Sequence, residues 1–505
     1  MIGEPLAIPL REARAPLILT LDLGTSSLRA LVFDAAARPI RRATAFSERL
    51  PRTSRLGESS LDPAERSRAA FVAIDSVMRA LGRRAADVAA VSVAAFWHSL
   101  TGVDARGRAT TRVITWADTR PRDAAAVLRR DLDEDAVHAR TGCVLHASYL
   151  PAKLRWLRDT APETYRGTTH WMSFGEYLYL LAFGERRAAH GMASATGLYA
   201  QRDCGWDGAM LAELGLEERT LSPISDDPLC GLRPVFAGRW PALARVPWLP
   251  AIGDGACSNI GAGAVGTGTA ALMVGTSGAL RVVHEMAPPT VAGGWTYRLD
   301  RRRVVAGGAL SNAGNALSWL ERTFPGVDVA LVVQRPLDVH GLTVSPLLAG
   351  DRSPTWDDAA RAALAGLTLD TSADDIVQAF VEGIVLRFAR LWQLVDAAVP
   401  GIERVVVAGG AALSRPYLIQ LLADALGRAL IASGVREGSA RGAAIVALER
   451  IGAIPDLAAI RSPIGRTFRP RERAQVALRK ALERQAGLEE AVRRGQMADL
   501  RSSKG

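Results

Sequence analysis

Apolar positions along the chain fall into strand-like runs and helix-period stretches, and these recur in the same order in each half. The runs Leu17 to Leu23 and Leu28 to Phe33 are short and apolar and flank a Gly-Thr-Ser turn, which predicts a β-hairpin. A helical period follows from about Pro63 to Leu81, then a strand from Val88 to Ala95 and an extended Val113-Ile114-Thr115-Trp116. Helices are predicted near 121–139 and 149–165. The Pro- and Gly-rich stretch from Pro223 to Gly255 breaks regular structure and reads as the crossover between domains. The pattern then restarts with a hairpin over 270–284, an extended Val304-Val305-Ala306 and a long helix over 373–397. A strand at Val405-Val406-Val407 and helices over 416–427 and 437–451 complete it. Strands and helices repeating in two halves predict an α/β chain of two domains, 17–256 and 257–470, with a cleft between them. Residues 1–16 are expected to form a flexible leader, and 471–505 a charged, amphipathic helical tail at the surface.

Composition narrows the class. The chain has 505 residues, 49% of them hydrophobic, enough for two large cores and too long for one. No apolar run is long and uninterrupted enough to predict a transmembrane helix, and the leader is too charged and proline-broken for a secretory signal. Cys143, Cys204, Cys230 and Cys257 lack zinc or disulfide spacing, which points to a reducing cytoplasm and to small buried apolar residues. The net charge of +10 invites a nucleic-acid reading. Against it, lysine occurs only at Lys153, Lys480 and Lys504, and the arginines are spread along the chain rather than interleaved with aromatics on one element. A diffuse positive field suits an anionic substrate and a nucleotide equally well.

The hairpin tip changes this picture. Leu23-Gly24-Thr25-Ser26-Ser27-Leu28-Arg29 returns as Val274-Gly275-Thr276-Ser277-Gly278-Ala279-Leu280-Arg281 about half a chain later. Glycine allows close approach of an anion, and hydroxyls and turn N–H groups donate to phosphate oxygens or to the hydration shell of Mg²⁺. One copy is ordinary turn chemistry; two in matching context suggest a grip on one polyphosphate.

Asp22 ends a buried-looking strand beside the first tip. An unpaired carboxylate there is costly, so it should face a cleft and a cation, directly or through water; the alternative is an Asp that caps its own turn. Asp254, in Gly253-Asp254-Gly255, is flanked by glycines and followed by small residues. Phosphoryl transfer to an alcohol needs one acid to accept the hydroxyl proton, and Asp254 is the candidate, with a helix N-cap as the plain alternative. Gly409-Gly410, after the strand at 405–407 and before Ser414, suits a nucleotide base and ribose. Trp97, His98, Asp118, Arg120, His146 and Lys153 are polar or aromatic candidates for reading an acceptor. The two histidines read equally well as core residues, Lys153 as a solvated helix residue, and Asp118 with Arg120 as a structural ion pair.

Taken in order, Asp22-Leu23-Gly24-Thr25, Trp116-Ala117-Asp118-Thr119-Arg120, Gly253-Asp254-Gly255, Gly275-Thr276-Ser277, Gly350-Asp351-Arg352-Ser353-Pro354 and Gly409-Gly410 resemble the FGGY carbohydrate kinases. The resemblance runs from about residue 17 to 452. It implies two domains of the actin-like, ribonuclease-H-like ATPase fold closing on ATP-Mg²⁺ and a sugar. By that resemblance Asp254 is the base and Asp22 supports the metal. Gly24, Thr25, Ser26 and Arg29 would meet the phosphates from one side, and Gly275, Thr276 and Ser277 from the other. Gly308, Gly409, Gly410 and Ser414 would complete the nucleotide site.

Within the family, His98-Ser99-Leu100, Thr115 to Arg120 and Ala193-Ser194-Ala195-Thr196-Gly197 are similar to gluconate kinases. The chain departs from the family pattern at four places. Trp97 stands where methionine is usual, Phe96 where a small residue is usual, Ala189 where Asp is frequent, and Asp351 where the motif has Glu.

The expectation is an ATP-dependent kinase acting on a small sugar or sugar acid, foremost the 6-hydroxyl of D-gluconate, with Arg120 or Lys153 pairing with its carboxylate. A kinase for a pentulose, deoxy sugar or polyol shares every nucleotide-site expectation. A non-catalytic nucleotide-dependent regulator is the reading from another class. A cytoplasmic protein, without nucleic-acid or membrane partners and with a homodimer as a family habit, completes the expectation.

Overall fold

The structure, a computed structural model, describes residues 6–285 and 287–502. In the first half, β1 (Leu17–Leu23) and β2 (Ser27–Phe33) form the expected hairpin, and β3 (Pro39–Glu48) extends it. Helix α1 (Pro63–Leu81) begins on Asp62, whose side chain accepts from Glu65 N, and covers the hairpin with Phe71, Ile74 and Val77. Strand β4 (Val88–Ala95) returns parallel to β1. Strand β5 (Ile252–Gly253) lies parallel to β4 at the far edge, giving the order β5-β4-β1-β2-β3. Helix α2 (Asp254–Gly261) follows without a loop.

The second half repeats the device. Strands β6 (Thr269–Val274) and β7 (Gly278–His284) form the second hairpin. Strands β8 (Trp295–Arg298) and β9 (Val304–Leu310) add antiparallel beyond β7. Helix α3 (Ala373–Ala398), opened by a Ser372/Asp375 capping box, backs this sheet. Strand β10 (Arg404–Ala408) is parallel to β6 as β4 is to β1. Helix α4 (Pro416–Leu426), strand β11 (Leu430–Ser433), helix α5 (Gly438–Arg450), strand β12 (Ile464–Phe468) and helix α6 (Glu472–Ser502) complete the chain. The second sheet runs β8-β9-β7-β6-β10-β11-β12.

The halves meet through α2 and α5. A Cβ on Gly261 would lie 1.9 Å from Gly438 O, and one on Gly442 1.8 Å from Cys257 O, so the two backbones touch. That contact is the reason for the small residues after Asp254. Helix α5 carries Ala440, Ala443, Ile445 and Leu448 into the core of the first half. Buried Arg441 ties the crossing, donating to Ala37 O at 3.1 Å, Gly261 O at 2.6 Å and Arg461 O at 3.2 Å. These carbonyls and the Ser462 hydroxyl, which also accepts from Arg441, are all neutral, and burial pulls its pKa down to about 10.

Several expectations are revised. Pro223 to Gly255 packs on the first half: Trp248 and Leu249 are buried, and the stretch ends as β5, so its prolines mark turns around a domain rather than a passage out of it. Residues 6–16 lie against β3, with Ile8 N donating to Pro39 O at 3.0 Å and Arg41 N to Ile8 O at 2.8 Å; residues 1–5 of the expected leader lie outside the described residues. The tail helix α6 is docked through buried Leu478, Ala481 and Gln485, whose amide donates to Val344 O at 2.7 Å and Gly383 O at 3.0 Å. The cysteines are free, and Cys230 is exposed rather than buried. Among the described residues, no helix is long and apolar enough to cross a membrane.

Candidate active site

The sheet brings the two acids together. Asp22 on β1 pairs in register with Ala94 on β4, and Ala94 with Ile252 on β5, so Asp22 and Asp254 sit at the same C-terminal end of the parallel strands, two strand spacings or roughly 10 Å of backbone apart. Asp254 is the first residue of α2, where the helix dipole favours a carboxylate. Both remain partly accessible deep in the cleft. Burial, then the neighbouring charge of Asp254, pushes Asp22 up to about 7; Arg29 opposes this and Glu437 adds to it. Burial raises Asp254 to about 6, against the pull of Arg281 and a hydrogen bond from the Gly255 backbone. An acid poised near neutrality is what a general base needs.

The glycines beside Asp254 make room for an aromatic wall. A Cβ on Gly253 would lie 1.9 Å from the Trp97 ring, and one on Gly255 2.4 Å from that ring and 3.0 Å from Arg281 Cζ. Trp97 packs edge-on to Trp295 and Tyr297 at 5.7 and 5.1 Å, and its indole N–H donates to Gly191 O at 3.1 Å. The structure thus makes Trp97 a wall behind Asp254, with its one polar atom engaged.

Both hairpin tips are prepared as donor surfaces. Arg66 donates to the carbonyls of Gly24 and Thr25, the latter at 2.9 Å, and Trp116 Nε1 donates to Thr25 Oγ1 at 3.1 Å. Across the cleft, Gly314 N and Asn315 N donate to Gly275 O and Thr276 O, each at 3.0 Å. With these acceptors occupied, the tips offer an anion their hydroxyl protons and the turn N–H groups other than that of Gly275, which donates to Ser277 O at 3.0 Å. Ser26 and Ser277 sit in the same turns. Arg29, opposite Asp22 on β2, reaches Glu437 at 2.7 Å. Gly409, at φ 98°, leads from β10 into the turn of Gly410 close under the second tip, where a Cβ would lie 2.3 Å from Val274 O. The Ser414 hydroxyl donates to Gly410 O at 2.7 Å. Gly308 lies inside β9, where a Cβ would meet Leu391 at 2.4 Å and Ser353 Oγ at 2.7 Å; its neighbours mark a packing position rather than part of the nucleotide groove.

The acceptor candidates divide. His98, at φ 62°, gives its Nδ1 proton to Ala195 O at 2.7 Å, and burial lowers its pKa to about 3, so the ring is neutral and Nε2 can accept from a hydroxyl. His146 Nδ1 accepts from Ser148 N at 3.2 Å, which puts the proton on Nε2 and directs it to Asp358 at 3.0 Å. Arg120 holds Asp118 through Nε at 2.9 Å and Nη2 at 2.6 Å and stacks over Trp156 at 4.7 Å, a structural pair. Lys153 is fully buried rather than solvated and donates to His98 O; burial lowers its pKa to about 7.

Two cations were not singled out in the sequence. Arg281 Nε and Nη1 and Arg352 Nε are buried without a hydrogen-bond partner among the described residues. Arg281 was visible as the partner of Arg29 in the repeat, and Arg352 in the Gly350 to Pro354 motif, but nothing in the pattern marked either as facing the cleft.

A two-lobed cleft with donor tips on both sides and a near-neutral acid between them defines a phosphotransferase on an actin-like ATPase scaffold. The chain matches the N-terminal domain of the FGGY family of carbohydrate kinases over residues 17–261 and the C-terminal domain over 263–449. It belongs to that family and is a carbohydrate kinase. It is 24% identical to a gluconokinase of Bacillus subtilis, over 90% of this chain and 91% of that one. It is 30% identical to a glycerol kinase of Rhodospirillum centenum, over 95% and 98%. Its fold is shared with a xylulose kinase of Lactobacillus acidophilus at a TM-score of 0.86, 21% identity and coverage of 94% and 98%. Three named acceptors at such identities leave the family certain and the acceptor open.

Proposed function

We propose that this kinase transfers the γ-phosphoryl group of ATP to a hydroxyl of a sugar acid, D-gluconate foremost, giving 6-phosphogluconate and ADP. Asp254 takes the hydroxyl proton as the acceptor oxygen bonds to phosphorus and the bond to the ADP oxygen breaks. The observation that carries the transfer step is Asp254 itself: at a helix N-terminus, walled by Trp97, raised to about 6 by burial and steadied by Arg281; the sugar-acid acceptor is supported by the similarity to gluconokinases. Thr25, Ser26, Thr276 and Ser277 donate to phosphate oxygens, and Gly409 and Gly410 let the nucleoside approach the backbone. Asp22 fits a Mg²⁺ ion carried by the nucleotide, since the charge around it is net acidic, with Asp254 and Glu437 against Arg29. Bound there, the ion neutralises phosphate charge, and one or two carboxylates suffice beside phosphates and water. His98 Nε2 orients an acceptor hydroxyl, and a cleft closed between the two lobes excludes water that would otherwise take the phosphoryl group. A cytoplasmic setting belongs to this reading, with ATP as donor.

A neutral pentulose or polyol is the second reading. Both side chains expected to hold the substrate carboxylate are committed elsewhere, Arg120 to Asp118 and Lys153 to His98 O. ADP release over D-gluconate, D-xylulose and glycerol separates the two. The sugar-acid reading expects the highest kcat/KM on gluconate; no rate above the acceptor-free background on gluconate, with turnover of a neutral acceptor, overturns it.

A further inference from the structure

Among the described residues, no carboxylate forms an ion pair with the guanidinium of Arg352. It comes from the second half and crosses to the acceptor side, with Cζ 5.0 Å from the centroid of the Trp116 ring. Nη2 donates to the neutral carbonyl of Leu310 at 2.9 Å, and Nε has no partner among the described residues. The adjacent carboxylate cannot serve: Asp351 is held by Arg387 at 2.7 Å and by the Thr355 hydroxyl at 2.6 Å. Asp358, on the same loop, is taken by His146 at 3.0 Å. The groups that surround Arg352 are Trp116, Tyr149, Tyr297, the Asp351 carboxylate already held by Arg387, and a second cation, Arg281. Tyr149 and Tyr297 share a hydrogen bond of 2.6 Å and flank His98 at 4.8 and 5.6 Å, so this is the acceptor side of the cleft.

A cation deep in protein without a partner is costly, and the cost is recovered when a ligand brings the missing charge. Burial and the charge of Arg281 weaken its hold on its proton, with a pKa down to about 10, yet it stays cationic at any physiological pH. Its planar fork matches a carboxylate in two parallel hydrogen bonds. Arg352 also remains partly accessible, so a ligand in the cleft can reach it.

We propose that Arg352 is an acceptor-binding residue that pairs with the carboxylate of an acidic acceptor, the role that Arg120 and Lys153 cannot fill. This rests on the sugar-acid reading above and names its recognition element. An anionic oxygen at Arg352 has two available sources, the acceptor carboxylate and a nucleotide phosphate, and the acceptor side of the cleft favours the first.

Full-length wild type, Arg352→Gln and Arg352→Lys are titrated calorimetrically with D-gluconate, with D-glucitol, its neutral counterpart bearing CH₂OH in place of the carboxylate, and with ADP. Wild type should bind gluconate at least tenfold tighter than glucitol. Arg352→Gln should abolish that preference, and Arg352→Lys, which keeps the charge without the fork, should restore part of it. The proposal is overturned if Arg352→Gln keeps the preference, if wild type does not bind gluconate, or if the loss falls on ADP instead. Arg352-dependent gluconate binding without phosphoryl transfer to it supports the proposal and sinks the gluconokinase reading. Transfer to gluconate undiminished in Arg352→Gln does the reverse.

Discussion

Arg29 Nη1 lies 2.7 Å from Glu437 Oε2, joining strand β2 of the first half to the residue that opens helix α5 in the second. Arg29 is also the cross-strand partner of Asp22. The cation that acts on Asp22 is therefore shared with a carboxylate from the other half.

Both side chains of this pair are more than a third exposed, so its loss should change stability by no more than about 1 kcal/mol. Its effect belongs to the nucleotide. Arg29→Gln should raise KM for ATP about tenfold, whereas Glu437→Gln, which releases Arg29, should leave it unchanged or lower it. Equal increases in both variants would mean that the pair is only a clamp between the halves.

The acid pair makes the unliganded protein sensitive to pH in a direction opposite to that of a salt-bridged carboxylate. Asp22 and Asp254 hold their protons to about 7 and about 6, well above the ordinary 3.8 of an Asp. Between those limits the folded chain binds protons that the unfolded chain has released, so stability falls as pH rises from about 4 to 7. The slope is at most about 1.4 kcal/mol per pH unit for each group. Asp22→Asn should flatten this slope in denaturant titrations and raise stability at pH 8 while suppressing activity. A slope identical to wild type would remove Asp22 as its source.

Trp97 and Gly253 form a lock. Gly253→Ala places a methyl carbon 1.9 Å from the indole as it stands, and the ring is packed between Trp295 and Tyr297. Overpacking of this kind costs about 1–3 kcal/mol or more. Gly253→Ala should lose at least that in urea unfolding and also lose turnover through displaced Asp254. Trp97→Met in the same chain should recover stability, and additive costs in the double-mutant cycle would break the link.

The C-terminal helix supports the loop that carries Arg352. Arg387, almost fully buried, bridges Asp351 at 2.7 Å and Glu489 of α6 at 2.6 Å. Arg387→Met strands the buried Asp351 carboxylate and should cost about 3–5 kcal/mol, read by chemical denaturation. Glu489→Gln keeps the Asp351 contact and should cost clearly less. Equal losses would show that Glu489, not Asp351, is the partner that matters.

Much of this arrangement was legible in the sequence, for identifiable reasons. The two hairpins announced themselves because a buried strand pair around a glycine turn leaves few alternatives, and α1 was read at its observed ends, Pro63 and Leu81. Asp22 and Asp254 stood out as acids amid apolar or small residues. Contacts across distant parts of the chain were not legible. Nothing local tells that Trp97 fills the space over Gly253 and Gly255, that Arg66 occupies the carbonyls of the first tip, or that Asn315 does so at the second. Arg120 read two ways for the same reason: its partner Asp118 lies two residues away, yet only the fold decides whether such a pair closes on itself, as it does, or opens to a ligand. Pro223 to Gly255 was misplaced because turn residues signal a break in regular structure and not which core the flanking tryptophans join.

The central claim is that Asp254 is the base of phosphoryl transfer. The direct measurement is single-turnover transfer of ³²P from γ-labelled ATP to D-gluconate by wild type and Asp254→Asn, with ADP affinity measured alongside. Removal of the base should slow transfer by at least about 10²–10⁴-fold while ADP affinity stays within threefold. Transfer by Asp254→Asn within tenfold of wild type would contradict it.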